Sequence, residues 1–371
     1  MIIILTQCFP SRVGGIESLV SNLAMGLSSQ NKVIVFADRY HLFFDAIYDN
    51  QIKDKFIVRR ASGLKFFRRR KKIKDLKPFI LSNQVRCVIG DSWKSFELCI
   101  DLLNNKKIPT ICLAHGNEII QKKPEKLNKV QTILNKCSAV VANSNYTLNL
   151  IKKNLKINQP ILKRIYPGAA SIQDIKEEKV NIDRGDPMII TLARLEKRKG
   201  HIYVLNAIQN LIKEFKNLKY VIAGEGNNFK FLKEEIKRKK LDQNVYLLGK
   251  VNDAQKKYIF SKTDLMVMPT IDDSNNSSIE GFGISYIEAA LYGIPSIASN
   301  IGGTSEAVIH NKTGIIINNM DELEIVLRDL LLNKEKRQLF GEEAKKRAYK
   351  EFQWNKITNE YINLISYIQN K

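Results

Sequence analysis

Two carboxylates and two glycines crowd one short stretch, Ser278-Ile-Glu280-Gly-Phe-Gly-Ile-Ser-Tyr-Ile-Glu288-Ala-Ala. Carboxylates accept hydrogen bonds from hydroxyls. Gly281 and Gly283 leave the backbone bare where a helix begins, so unpaired N–H groups and the positive end of the helix dipole are open to an anion. A turn made of Gly281, Phe282, Gly283 and Ile284, with Glu280 before it and Glu288 after it, suits a phosphate flanked by two hydroxyl acceptors. That is the chemistry of a nucleotide sugar.

The elements around the stretch must hold it in place. Asp264-Leu-Met-Val-Met-Pro269 is a short apolar run that reads as a buried strand. Beyond the turn Ile287, Ala290 and Leu291 recur at helical spacing until Gly293 and Pro295 stop the pattern. Strands of the same kind are read at Met1–Leu5, Lys32–Ala37, Val85–Gly90, Pro109–Ala114 and Ser138–Ala142, and again at Met188–Ala193, Lys219–Gly224, Asn244–Val251, Pro295–Ser299 and Gly314–Asn318. Their alternation with helical patterns predicts an α/β chain of two Rossmann-like, doubly wound domains. The first spans residues 1–168 and the second 187–354. Residues 169–186, polar and without periodicity, read as a linker. Trp354, Ile357, Tyr361 and Leu364 fall at helical spacing, so a final helix over 355–371 is expected to pack back on the first domain.

Glu-Gly-Phe-Gly-Ile-x-Tyr-x-Glu-Ala resembles the E-x7-E motif of the retaining glycosyltransferases of family GT4, which have the GT-B fold with two domains facing a central cleft. The resemblance implies a retaining transfer of a sugar from a nucleotide-diphosphate donor, UDP- or GDP-linked, with no cofactor and no metal. Arg194-Leu-Glu-Lys-Arg-Lys199-Gly200 is similar to the family's R-x4-K-G element, which places Arg194 and Lys199 on the donor diphosphate. A departing nucleoside diphosphate gains negative charge, and fixed cations stabilise it. On the same resemblance Glu280 holds the transferred sugar and Glu288 the ribose, Gly14 and Gly15 lie beside the donor phosphates, and Lys250 and Val251 lie beside the base. His115, which follows the strand Pro109–Ala114, corresponds to the family's acceptor-side histidine. Its ordinary alternative is a packed or capping histidine.

The chain has 371 residues, 44% of them hydrophobic, enough for two sizeable cores. Five cysteines without metal-ligand spacing predict buried free thiols in a reducing compartment. No apolar run approaches the roughly 20 residues needed to span a bilayer. Met1–Leu5 lacks the features of a signal peptide. The expected location is therefore cytoplasmic, peripheral on the inner face of the membrane.

A net charge of +22 calls for an anionic partner. The excess peaks between Lys65 and Lys77, where Phe66, Phe67, Arg68, Arg69, Arg70, Lys71, Lys72 and Lys74 form a basic and aromatic cluster. Such a cluster suits an anionic membrane surface, at about 1 kcal/mol per basic side chain before screening, and its ordinary alternative is a solvated helix face or loop. Nucleic acid is the poorer match, since no recognition motif accompanies the charge. The expected partners are a nucleotide sugar, a glycan or lipid-linked acceptor of surface polysaccharide or lipopolysaccharide assembly, and the membrane surface. Three rivals stand beside the transferase: a hydrolase using Glu280 and Glu288, a nucleotide-sugar isomerase, and a basic binding module with a vestigial sugar site.

Overall fold

The computed structural model describes residues 1–82, 84–276 and 278–370, which form two compact units. The first contains Met1–Gly168 and Trp354–Lys371, the second Ala169–Gln353. The first unit is built on seven parallel strands, β1 (Ile2–Leu5), β2 (Val33–Asp38), β3 (Ile57–Ala61), β4 (Cys87–Gly90), β5 (Thr110–Ala114), β6 (Ala139–Ala142) and β7 (Ile161–Arg164), in the order β3-β2-β1-β4-β5-β6-β7. The central strand β1 is Ile-Ile-Ile-Leu with no exposed position, as a parallel strand covered on both faces requires. Helices α1 (Gly15–Ser28), α2 (Leu42–Ile52), α3 (Lys65–Leu81) and α4 (Trp93–Phe96) follow β1 to β4 in turn.

β3 and β7 are absent from the list of strands read from the sequence. Both are edge strands, paired on one side only, and β3 carries Arg59 and Arg60 in an alternating, half-exposed pattern rather than an apolar run. The C-terminal helix Trp354–Gln369 lies on α1, its Ile357, Tyr361, Leu364, Ile365 and Ile368 buried in the same core as Ile2, Ile4 and Leu23.

The second unit has six parallel strands, β8 (Met188–Leu192), β9 (Lys219–Ala223), β10 (Val245–Gly249), β11 (Leu265–Met268), β12 (Ser296–Ser299) and β13 (Gly314–Ile317), ordered β10-β9-β8-β11-β12-β13. Its helices include α5 (His201–Leu211), α6 (Asp253–Phe260) and α7 (Ile284–Leu291). The chain runs outward from β8 to β10, then returns to β11 on the other side of β8. Ligands of open α/β sheets bind at such a reversal, beyond the carboxyl ends of the strands.

Residues 169–186 are anchored to the second unit. Glu178 N donates to Ala254 O, Lys257 Nζ to Ile175 O at 2.8 Å, and the Tyr246 hydroxyl to Asp183 at 2.8 Å.

Candidate functional site

The loop after β8 brings its charges onto Glu280. Lys199 and Arg198 both donate to Glu280 Oε2, Arg198 at 2.8 Å. Glu196 takes the other edge of Arg198 at 3.0 Å and reaches Arg194 at 2.9 Å. The result is a continuous array, Arg194–Glu196–Arg198–Glu280–Lys199, running from a half-exposed guanidinium to a buried ammonium. Burial opposes ionisation of Glu280, but Lys199 and Arg198 outweigh it and hold the carboxyl down at about 2. Burial pulls the Lys199 ammonium below its ordinary value although Glu280 draws it upward. Three cations thus share two carboxylates. A further anion would be drawn to this array.

Backbone contacts fix these groups. Arg198 and Lys199 sit in a 3₁₀ turn, Lys197–Lys199, which ends at Gly200 with φ +74°. A Cβ at Gly200 would lie 2.0 Å from Pro269 O, at the end of β11, so only glycine lets the two loops meet. Ile271 N donates to Arg198 O, and Leu195 N to Glu225 O, which clasp the turn from both sides. Glu280 is fixed from behind, where Gly303 N donates to its carbonyl at 2.9 Å. The Tyr286 hydroxyl ties α7 to Met268 O at 2.6 Å. Gly283 starts α7 in the left-handed conformation and has no side chain to cap the first amides. Tyr286 N turns back to Gly283 O at 3.1 Å, and the amides ahead of it, at Ile284 and Ser285, are the ones an anion would meet.

Glu288, on α7, accepts from Lys256 of α6 at 2.7 Å, and Asp253 takes the same ammonium at 3.0 Å. Burial works against the charge on Lys256, but Glu288 and Asp253 outweigh it and raise its affinity for the proton. Lys250 is exposed and Val251 half-buried just ahead of α6, whose start is closed by the reciprocal bonds of Asn252 and Gln255. The Phe282 ring is buried against Phe352, with centroids 5.6 Å apart, so its side chain packs within the unit rather than presenting itself to a ligand. Among the residues singled out in sequence, the structure brings Lys199 onto Glu280 directly and links Arg194 to it through Glu196 and Arg198. Glu288 has a separate ion pair.

Arg198, Glu196 and Lys256 were not singled out. Arg198 is one of 60 lysines and arginines, and only the 3₁₀ turn points it inward. Lys256 carries the one local signal, Asp253 three residues before it on one helix face. His201 was also passed over. It is buried at the start of α5, with neither ring nitrogen partnered among the described residues, and burial, then Lys199, lower its pKa to about 4.

In the first unit His115 follows β5, where its Nε2 lies 2.8 Å from Asp91 O and its own N–H donates to Glu118 at 2.7 Å. The Asp91 carboxylate is itself held by Thr6, by Gln7 N and by Ser95 Oγ at 2.6 Å. Gly14 and Gly15 open α1, but the buried Glu17 carboxylate, paired with Arg12 at 2.9 Å, already lies there. A Cβ on Gly14 would touch it.

The basic cluster on α3 divides into two faces. Lys72 is buried, paired with Asp38 at 2.6 Å and donating to Thr6 O, so it leaves the expected membrane-facing set. Arg68 turns to Asp38 and Arg39 O, and Arg69 to Glu97 at 2.6 Å, as helical periodicity requires of the face turned to the sheet. Phe66, Phe67, Arg70, Lys71 and Lys74 remain exposed, with Arg70 over the Phe66 ring at 4.1 Å. Among the described residues no helix is long and apolar enough to cross a membrane. All five cysteines are free and four are buried.

Two family models match the chain one after the other, Glycosyltransferase Family 4 over residues 13–170 and Glycosyl transferases group 1 over residues 172–347. An uncharacterised glycosyltransferase of Methanocaldococcus jannaschii is 30% identical over 196 residues, 51% of this chain and 48% of that one. A GDP-mannose-dependent alpha-(1-6)-phosphatidylinositol monomannoside mannosyltransferase of Mycobacterium tuberculosis is 25% identical over 181 residues, 48% of this chain and 47% of its own. The chain thus matches about half the length of these curated relatives. Among solved structures, Anabaena HepE in complex with UDP and glucose superposes with a TM-score of 0.79 over 99% of both chains, at 18% identity.

Proposed function

Since the chain belongs to the GT4-type glycosyltransferases and has the GT-B fold, we propose that it moves a sugar from a nucleotide-diphosphate donor to a glycan or lipid-linked acceptor with retention. The observation that carries this reading is the pairing of buried Lys199 and Arg198 with Glu280 beside the uncapped start of α7. In this reading the donor diphosphate takes the surplus positive charge of Arg194, Arg198 and Lys199 and the amides near Gly283 and Ile284. Glu280 accepts hydroxyls of the transferred sugar and Glu288, released by Lys256, those of the ribose. The bond between the anomeric carbon and the donor phosphate oxygen breaks, the acceptor oxygen bonds to that carbon on the same face, and its proton passes to the departing phosphate. Electrostatic stabilisation of the leaving group carries the rate.

The hydrolase rival needs one carboxyl protonated as general acid. Glu280, held down at about 2 by two cations, is an anion at neutral pH, and Glu288 is engaged in its own ion pair. The relatives' names mention GDP-mannose, a phosphatidylinositol mannoside, and UDP with glucose, so both nucleotides belong in a donor screen. The net charge and the exposed face of α3 favour an acceptor at an anionic membrane surface, as in surface polysaccharide or lipopolysaccharide assembly.

A panel of UDP- and GDP-sugars, screened for a rise in melting temperature, should single out one donor. With that donor and an acceptor, nucleoside diphosphate is released together with a glycosylated product. Lys199→Ala should cut turnover about a hundredfold or more, as loss of one preorganised charge contact does. Activity within a few fold of wild type would remove Lys199 from the site. Donor conversion without nucleoside diphosphate release would identify an isomerase, and equal sugar release to water without acceptor a hydrolase.

A further inference from the structure

The first unit carries a shallow recess, open to solvent, whose wall includes Leu5, Gln7, Arg69, Lys72, Lys94 and Ser95. It lies at the topological reversal of that sheet. The chain winds from β1 out to β3 and returns to β4 on the other side of β1. Leu5 and Gln7 stand at the end of β1, and Ser95 lies on α4 just after β4, so the recess occupies the crevice where open α/β sheets bind ligands.

Its charges are unbalanced. Asp38 neutralises Lys72, and Glu97 neutralises Arg69. Lys94 has no carboxylate within ion-pair distance among the described residues, only the Trp93 ring 5.8 Å away. Burial lowers its pKa, and Lys65, Lys126 and Arg69 push the same way against Glu97 alone. A half-buried ammonium that other cations repel is one an anion would stabilise. The recess is also wired to His115. Ser95 bonds to the Asp91 carboxylate, and the Asp91 carbonyl to the histidine ring.

We propose that this recess binds a phosphate group, with Lys94 as its principal ligand and Arg69 as its second, and that the phosphate belongs to the acceptor. As an acceptor's anchor the site rests on the transferase reading, whereas the binding itself does not, so the two can fail separately.

Trp93 is adjacent to Lys94, and the chain has one other tryptophan, Trp354, so Trp354→Phe leaves a single reporter beside the recess. Glucose 1-phosphate and inorganic pyrophosphate titrated into that variant, with the second unit saturated by its nucleotide, should change Trp93 emission saturably. Adding Lys94→Ala should weaken the response at least about tenfold, the usual cost of losing a charge-assisted bond. Adding Glu97→Gln, which frees Arg69, should tighten it a few fold, a gain that misfolding cannot imitate. A response to soluble phosphates that Lys94→Ala abolishes supports an acceptor phosphate. One confined to phosphatidylglycerol vesicles, and equally abolished, assigns the recess to a lipid headgroup and overturns the acceptor assignment. No response to either, or the same response in Lys94→Ala, overturns the site itself.

Discussion

Replacing Glu280 by glutamine would leave Lys199 and Arg198 pressed together in a buried place with no anion between them. The carboxyl is held near 2 against an ordinary 4.5, so its ionisation stabilises the folded chain. That contribution is complete above about pH 4.5 and is lost as pH falls toward 2. On the size of the shift it is about 3 kcal/mol. The stability gap between wild type and Glu280→Gln, measured by urea unfolding, should therefore narrow steadily from pH 5 to pH 3. A constant gap would mean that Glu280 is not held ionised. At this scale the sequence shows residue type but not direction. Lys199 was legible as part of a motif, while Arg198, its neighbour in the same run of cations, was not.

At the scale of elements the site depends on loops that approach one another more closely than a side chain allows. Gly302, after β12, has φ +67°, and a Cβ there would lie 2.1 Å from Glu280 O. Gly293, just after α7, has φ +74° but no neighbour nearer than 3.7 Å. Both alanine variants incur the backbone strain of about 1–3 kcal/mol, and only Gly302→Ala displaces Glu280. Turnover should fall at least about tenfold in Gly302→Ala and stay near wild type in Gly293→Ala, and the melting temperature should fall in both, further in Gly302→Ala, which adds the clash to the strain. Equal turnover in the two would show that the loop tolerates the shift. The strand runs were legible because central parallel strands must be apolar on both faces. β3 and β7 were not, because an edge strand pairs on one side and keeps its polar residues.

The whole molecule adds what neither scale contains. α3 begins beside the turn that leads into α2, since Arg68 donates to Arg39 O at 3.1 Å. Leu64, Phe66 and Phe67 are exposed at this start of the helix, and Tyr40, Leu42 and Phe43 are exposed around the turn into α2. Lys65, Arg70, Lys71 and Lys74 are exposed on the same helix. If this surface meets an anionic membrane, Phe66→Ser with Phe67→Ser, or glutamine at those four cations, should abolish co-sedimentation with phosphatidylglycerol vesicles. Neither should lower the melting temperature by more than a few degrees. Unchanged co-sedimentation would discard the membrane role. Lys72 is unsuitable for this test, because removing it leaves Asp38 buried beside Thr6 O.

From the sequence alone came the α/β alternation, the two-unit plan and the pairing of an acidic glycine turn with a basic loop, because apolar runs, turn residues and short motifs are local and strongly patterned. Tertiary structure decided which cation meets which carboxylate. It set Arg198 on Glu280, Lys256 on Glu288 and Lys72 inside, and, among the described residues, left Lys94 without a counterion. Those outcomes depend on side chains from loops and helices far apart in the chain. Their charges interact through distance and burial, which residue order does not specify.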